Sequence, residues 1–302
     1  MEALVHLAAG IGNIVLATPL LIALHDLGYQ VDLRLSADYE ATADLLRGWS
    51  VLRDLISDTT ARRYDVVLPA IPPFYWSRFQ RAYQGMRNCV ARPPDALFHQ
   101  DEQAYYLAFA RALGFPENCR PEIWLPVGPS TEFQEESETV ILAPGCKTGE
   151  MALKRWPWFA QLAGLLPDVA VVGTADDLYT ADGASLAFPP QVRNFVGKLS
   201  LRQTAELIAG AALVVANDTG LAYVAAAVGT PTVILFGPTP DRSLGPLPAH
   251  VTSLRHGLPC EPCWFGSRFG PCNRRIDCLR SLTVERVLAA VEHHLNGGCH
   301  GG

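Results

Sequence analysis

Short apolar runs rich in Val, Ile and Leu alternate along this chain with longer stretches in which apolar residues recur at helical spacing. Each short run ends in glycine, proline or a small polar residue, as a strand leading into a loop does. In the first half, Ala3–Leu7 predicts a strand and Ala9-Gly10-Ile11-Gly12-Asn13 a turn. Ile14–Leu27 predicts an apolar helix that contains Pro19 and is closed by Gly28. Val31–Leu35, Val51–Leu55 and Val66–Leu68 read as strands, Tyr39–Leu46 as a helix, and Asp101–Leu113 as a helix stopped by Gly114 and Pro116. Residues 125–138 are rich in Pro, Gly, Ser and Glu and lack periodicity, which places a domain linker there.

The alternation then restarts. Strands are expected over 139–142, 169–172, 192–195, 213–216 and 232–235. Helices are expected over 158–166 and 201–211, and from Gly220 to about Ala227, where Gly229 and Pro231 end it. A last helix runs from Val284 to Leu295 behind Thr283 as N-cap. The pattern implies an α/β protein of two Rossmann-like halves, facing each other across a cleft, with right-handed crossovers. The expected domains are 1–130 and 138–280, followed by a terminal helix over 283–296.

Composition narrows the class. The chain has 302 residues, 49% of them hydrophobic and 18% charged, enough to bury real cores and inconsistent with disorder. A net charge of −6 argues against nucleic acid as a partner. The most apolar stretch, Leu207–Phe236, is broken by Asn217, Asp218, Gly220, Gly229 and Pro231, so no transmembrane segment is expected. The chain enters its first strand without a charged leader or cleavage site, which predicts a cytoplasmic protein.

In an open parallel sheet, loops at the carboxyl ends of the strands form the ligand crevice. Two such loops are small, hydroxylated and glycine-bearing: Asp218-Thr219-Gly220 and Gly237-Pro238-Thr239. The first opens a helix, so the amides of Gly220 and Leu221 and the Thr219 hydroxyl suit a diphosphate; an ordinary N-cap is the alternative. Lys147, Lys154 and Lys198 are the chain's only lysines, and lysine is a mobile point charge suited to phosphate. Two of them fall in Ala143-Pro144-Gly145-Cys146-Lys147-Thr148 and Lys154-Arg155-Trp156-Pro157, a glycine loop and a cationic helix entry that read as an anion cradle or as a charged surface loop. Asp176 and Asp177 follow a strand end, where one carboxylate could hold a ribose or simply complement a helix dipole.

In the first half, Gly10 and Gly12 allow close approach of an acceptor. His99 is a candidate general base and Asp101 a candidate cap. The aromatic stretch 74–83, with Arg78, suits stacking on a sugar or packing of an irregular helix. Cys260, Cys263, Cys272 and Cys278 crowd into the segment 258–279, a spacing that allows a four-thiolate zinc or iron site. Four thiolates leave no open position, so such a metal would be structural.

These motifs together resemble the heptosyltransferase family, glycosyltransferase family 9, whose members add heptose to the lipopolysaccharide core. The resemblance covers nearly the whole chain. It is carried by Gly10-Ile11-Gly12-Asn13 with Thr18-Pro19, by His99 ahead of a Tyr-Leu helix ending in Leu-Gly, and by Lys154-Arg155-Trp156-Pro157. Asp218-Thr219-Gly220-Leu221 through Gly237-Pro238-Thr239, the Cys-x2-Cys run and Cys278-Leu279 complete it. It implies a GT-B fold, a C-terminal domain that binds a nucleotide sugar such as ADP-heptose, and an N-terminal domain that binds the acceptor. Transfer would invert the anomeric centre without a catalytic metal. By that resemblance Lys154, Asp218, Thr219 and Gly220 contact the donor, with Lys147 and Thr148 as further candidates. Some relatives that heptosylate proteins carry a cysteine-bound iron.

Two positions depart from the family. Its lipopolysaccharide enzymes carry Asp, assigned as base, where this chain has Asn13, and His where it has Tyr223. Either another group is the base, with His99 or Asp101 the candidates and Asn13 orienting the acceptor, or the acceptor needs no strong base, or catalysis is lost. The departures and the cysteine cluster leave a glycan, a small molecule or a protein as acceptor. The rival readings are a sugar-nucleotide-binding protein without transfer, and a GT-B enzyme acting on another sugar nucleotide, such as a UDP-sugar epimerase.

Overall fold

The computed structural model describes residues 1–56, 62–264 and 275–297. The chain divides into two compact units: Met1–Pro126 with Arg242–Leu247, and Val127–Asp241 with Pro248–Gly302.

The first unit is a parallel sheet of β1 (Glu2–Leu7), β2 (Gln30–Leu35), β3 (Leu52–Ile56) and β4 (Val66–Leu68), in the order β3-β2-β1-β4. Val5 lies opposite both Leu33 and Leu68, and all three are fully buried. The helices are α1 (Ile11–Leu16), α2 (Thr18–Asp26), α3 (Ala43–Leu46), α4 (Pro73–Phe79), α5 (Asp95–Gln100) and α6 (Glu102–Arg111).

The single helix expected over Ile14–Leu27 is instead two, meeting at Ala17. The cause is Pro19, which has no N–H to donate and is accommodated only in a first turn; a new helix therefore begins at Thr18. The helix expected over Tyr39–Leu46 is a 3-10 turn, Ala37–Thr42, running into α3. Helix α5 was not foreseen; it starts directly behind Pro93-Pro94, and prolines ahead of a helix are compatible with its start.

The second unit is a six-stranded parallel sheet in the order β10-β9-β8-β5-β6-β7. Its strands are β5 (Val140–Ala143), β6 (Val169–Val171), β7 (Arg193–Asn194), β8 (Leu213–Asn217), β9 (Thr232–Leu235) and β10 (Val251–Leu254). Its helices are α7 (Phe159–Ala163), α8 (Leu201–Gly210), α9 (Gly220–Val228), α10 (Asp277–Arg280) and α11 (Val284–Leu295). β10 was not expected: Val251-Thr252-Ser253-Leu254 is half-buried at the sheet edge and carries too few apolar residues to stand out. Residues 131–136, inside the stretch read as a linker, form a 3-10 turn that packs on α8 through buried Phe133.

A core of this unit lies against one face of the central strands, where Val140, Leu142, Leu213, Val215, Val233 and Leu235 alternate with residues of the other face. Trp156, Phe159, Leu142, Val215 and Leu235 lie in it fully buried, with Leu279, Val287 and Val291 from the terminal helices and Leu282 from the turn between them. Each fully buried large side chain contributes about 1.5–3 kcal/mol. Gly229 ends α9 in the left-handed region, with φ 88, the conformation glycine adopts without strain.

In both sheets the strand order reverses beside the first strand of the unit, between β1 and β4 and between β5 and β8. The carboxyl edge at such a reversal is where open α/β sheets gather ligand-binding loops.

Candidate functional site

In the second unit the reversal lies between the loop after β5 (Pro144–Thr148) and the Asp218-Thr219 turn after β8. Asn217 ties that edge together. Its Nδ2 donates to the Pro144 carbonyl at 2.5 Å, and its Oδ1 accepts from the Trp156 amide at 2.9 Å. Trp156 is anchored in turn by Nε1 donating to the Leu282 carbonyl at 2.7 Å. The 3-10 turn Gly149–Lys154 is therefore held at its end by a buried indole.

That anchor presents Lys154 to Asp218. Lys154 Nζ lies 2.9 Å from Asp218 Oδ2, with the two side chains only 11% and 10% exposed. The Tyr223 hydroxyl, one turn into α9, donates to Asp218 Oδ1. Burial works against the Asp218 charge, but the Lys154 ammonium and the Tyr223 hydroxyl outweigh it and hold the carboxyl below the usual carboxylate range. The Thr239 hydroxyl, buried near the same carboxylate, falls short of a hydrogen bond.

Thr219 caps α9 by its backbone alone; no side-chain cap bond forms, so the ordinary N-cap role does not occupy its hydroxyl. Thr219, Gly220 and Leu221 are half-buried, whereas Lys147 and Thr148 are exposed on the loop after β5. Asp176 is exposed, and the carboxylate turned inward is its neighbour Asp177. Asp177 accepts from the Thr174 amide at 2.7 Å, closes a capping box and pairs with buried Arg155 at 3.5 Å. It also fills the space where Gly145 would carry a Cβ, 2.1 Å from its Cγ, which explains the glycine. Gly237, a candidate for donor contact, packs against Leu279: a Cβ there would lie 2.6 Å from Leu279 Cγ and 3.1 Å from Cys278 Sγ.

The cysteine segment packs on that loop. The amides of Cys263 and Trp264 both donate to the Pro238 carbonyl, at 3.0 and 2.8 Å. Among the described residues, no group of three His, Cys, Asp or Glu side chains could hold a metal ion. Cys260, Cys263 and Cys278 thus do not form a cluster by themselves, and Cys272 lies outside the described residues.

In the first unit the turn expected over Ala9–Asn13 is already helical from Ile11, and Asn13, in the first turn of α1, meets the start of α6. Asn13 Nδ2 donates to Glu102 Oε1 at 2.6 Å, and the Tyr106 hydroxyl donates to the same oxygen at 3.2 Å. Burial and the Glu102 charge push the Tyr106 hydroxyl well above its ordinary pKa, so it remains a donor. Asp101, one residue before Glu102, caps α6 through the Ala104 amide at 2.8 Å and grips Arg120 in a fork of 2.7 and 2.8 Å. Gly245 closes over this fork, where a Cβ would lie 2.5 Å from Arg120 Nη2. Asp101 thus anchors the start of α6 to Arg120. His99 is exposed in the last turn of α5, edge-on to Phe98. Arg78 is exposed and pairs loosely with Asp38 at 3.6 Å. In the aromatic stretch, Trp76 is stacked on Tyr83 and covered by Arg92 at 4.4 Å, while Phe74 is exposed.

The family model described as glycosyltransferase family 9 (heptosyltransferase) matches residues 99–269, from the end of α5 through the β8–α9 edge to the cysteine segment. The chain belongs to glycosyltransferase family 9. The lipooligosaccharide heptosyltransferase 2 of Haemophilus influenzae is 35% identical over 135 residues, which are 41% of this chain and 38% of that relative. Over its whole length the chain is similar to the solved structure of the E. coli ADP-heptose lps heptosyltransferase II, with a TM-score of 0.72, 22% identity and 99% of each chain covered. It is also similar to the bacterial iron-containing dodecameric glycosyltransferase TibC of enterotoxigenic E. coli, with a TM-score of 0.68, 18% identity, and 97% of this chain and 76% of that one covered. The fold of this family 9 protein is accordingly GT-B, built on two Rossmann-like domains. Among the described residues no helix is long and apolar enough to cross a membrane.

Asn217, Tyr223 as a partner of Asp218, and Glu102 as a partner of Asn13 escaped the sequence reading, which took Arg155 and Asp177 for their charge but not for their pairing with each other. Asn217 carried a usable signal, since a polar side chain ending an apolar strand in a parallel sheet needs buried partners. The others act through partners far away in sequence.

Proposed function

We propose that this family 9 protein transfers heptose from ADP-heptose to a hydroxyl of a lipopolysaccharide-type acceptor, with inversion and without a catalytic metal. The first domain (1–130) binds the acceptor, and the second (138–280) binds the donor. One observation carries the reading: the buried Lys154–Asp218 pair stands beside the uncapped Thr219-Gly220 start of α9 at the reversal of the second sheet. A departing diphosphate needs a cation and N–H donors where its charge develops. Lys154 supplies the first; the amides of Gly220 and Leu221 and the Thr219 hydroxyl supply the second. Lys147 and Thr148 reach the diphosphate from the loop after β5. Asp218 orients Lys154, and Asp176 is the candidate for the ribose.

The names of the relatives support ADP-heptose and lipopolysaccharide, in place of the broader acceptor range left open by the sequence. A cytoplasmic location, expected from the sequence, belongs to the same proposal. A structural zinc or iron on Cys260, Cys263, Cys272 and Cys278 belongs to the same proposal, supported by the cysteine spacing and by the iron-containing relative.

Incubation with ADP-heptose and heptose-less lipopolysaccharide should yield a heptosylated product and ADP. A thermal-shift panel of ADP-, GDP- and UDP-sugars should show protection by the ADP compounds first. Protection by UDP-sugars alone would move the chain to another GT-B reaction. Asn13 favours one rival, a sugar-nucleotide binder; binding of ADP-heptose with no product from any acceptor would establish it.

A further inference from the structure

Buried hydroxyls as a rule find a hydrogen-bond partner, and one that does not calls for an explanation. In the second unit Thr239 is such a case. The residue is 4% exposed, and its Oγ1 is sealed from solvent with no hydrogen-bond partner among the described residues. Its neighbour is Asp218. Asn217 pairs with Leu235 across β8 and β9, and the Asp218 amide donates to the Leu235 carbonyl at 3.2 Å, so the loop leaving β9 runs beside that carboxylate. The Thr239 hydroxyl lies near the carboxylate without reaching a hydrogen bond.

The loop itself is pinned. Gly237 packs on Leu279, and the Pro238 carbonyl accepts the amides of Cys263 and Trp264. Arg255 Nη2 donates to the Thr239 carbonyl at 3.3 Å and pairs with Asp241 at 3.0 Å. The Thr239 backbone is therefore fixed, while the hydroxyl hydrogen can still turn. In the free protein Asp218 already has partners: Lys154 Nζ at 2.9 Å from Oδ2, and the Tyr223 hydroxyl on Oδ1. A diphosphate at the α9 start competes for that ammonium. The Lys154 side chain is only 11% exposed, so Nζ reaches an outer anion by moving away from Oδ2. A buried carboxylate oxygen left without a donor opposes that movement.

Resting on the transferase reading, we infer that Thr239 is a positioning residue that takes over Asp218 when the diphosphate of the donor draws Lys154 outward. The Thr239 hydroxyl then turns its hydrogen to the Asp218 carboxylate, which keeps a second donor beside Tyr223. Lys154 engages the diphosphate without leaving a lone buried charge behind it. Thr239 touches neither the donor nor the reacting atoms. Its hydroxyl is unbonded in the free protein because its bond belongs to the loaded one.

The test separates the free protein from the loaded one. Thr239→Val removes the hydroxyl and keeps the branched shape. Without ligand this variant should melt at or above the parent temperature, because no bond is lost and an unsatisfied hydroxyl is gone. Its affinity for ADP, read by calorimetry, should fall about tenfold. Thr239→Ser restores the hydroxyl and should bind ADP within about threefold of the parent. A residue that merely packs would not weaken ADP binding while leaving the free protein as stable as before. Parent-like ADP affinity in Thr239→Val would overturn the inference, as would a Thr239→Ser that binds no better than Thr239→Val. A lower melting temperature of free Thr239→Val would overturn it too, since the hydroxyl would then already be bonded. A parent chain that does not bind ADP would remove the transferase reading itself, and the role of Thr239 with it.

Discussion

Lys154 and Asp218 stand 64 residues apart in the chain and 2.9 Å apart in space, in a buried pair that both holds the second domain together and faces the α9 start. The structural task of the pair and its proposed donor contact cannot be separated by deleting one partner. Lys154→Met or Asp218→Asn leaves a buried group without its partner, and each should cost about 3–5 kcal/mol in urea unfolding. The double replacement Lys154→Met with Asp218→Leu should cost less than the sum, because it buries no lone charge. All three should lose ADP-heptose binding; retained binding in Lys154→Met would exclude Lys154 from the donor site.

Asp218 also ties stability to acid. Its carboxyl is depressed in the folded state, so the unfolded chain binds the proton more readily. The stabilisation it provides is complete above the ordinary carboxylate range, near pH 3.9, and is lost as pH falls below it. Asp32 behaves alike: burial opposes its charge, yet Arg53, Arg62 and Tyr64 bring its pKa down. Asp32→Asn should therefore flatten the fall of the melting temperature below about pH 4.

His6 sets a second, separate window. Burial, with Arg34 nearby, lowers its pKa to about 3, and its Nδ1 is hydrogen-bonded to the Tyr83 hydroxyl. Unfolded, the ring titrates near pH 6.5. Between those values the unfolded chain carries the proton and the folded chain does not, so stability declines as pH falls from about 6.5 toward 3, by up to about 1.4 kcal/mol per pH unit. His6→Gln should remove that slope while leaving the part below pH 4 in place, as read by thermal melts across pH.

Gly237 is a packing glycine. Its missing Cβ makes room for Leu279, which is fully buried, and for Cys278. Gly237→Ala should overpack this contact and cost about 1–3 kcal/mol. A variant with unchanged urea midpoint would show that α10 can yield.

The cysteine segment is decided by elemental analysis. Protein purified without added metal should carry about one zinc or iron per chain if the four thiolates bind it. Less than half an equivalent, with the thiols reactive, would refute the site. Cys278→Ser should then also release the metal.

The hydrophobic pattern by itself determined the α/β alternation, the location of most strands, and the loops that carry the candidate chemistry. It could do so because strand and helix periodicity, glycine at left-handed turns and proline at first turns are local effects that neighbouring residues fix. Asp218-Thr219-Gly220 and Lys154 were legible for the same reason: each sits where a strand or loop meets a helix start. Only the tertiary structure decided which groups meet. Asp101 and Glu102 are adjacent in sequence, yet one side chain is claimed by Arg120 and the other by Asn13, and no spacing rule separates them. Asp177 rather than Asp176 turns inward because Gly145 leaves it room, a fact written at another strand. β10 and the return of Arg242–Leu247 to the first unit were likewise invisible, since a polar edge strand and a short docking segment owe their stability to partners and not to their own composition. Side-chain partnership is a long-range property: the residues that satisfy a buried carboxylate are chosen by the fold, and only after the backbone has been placed.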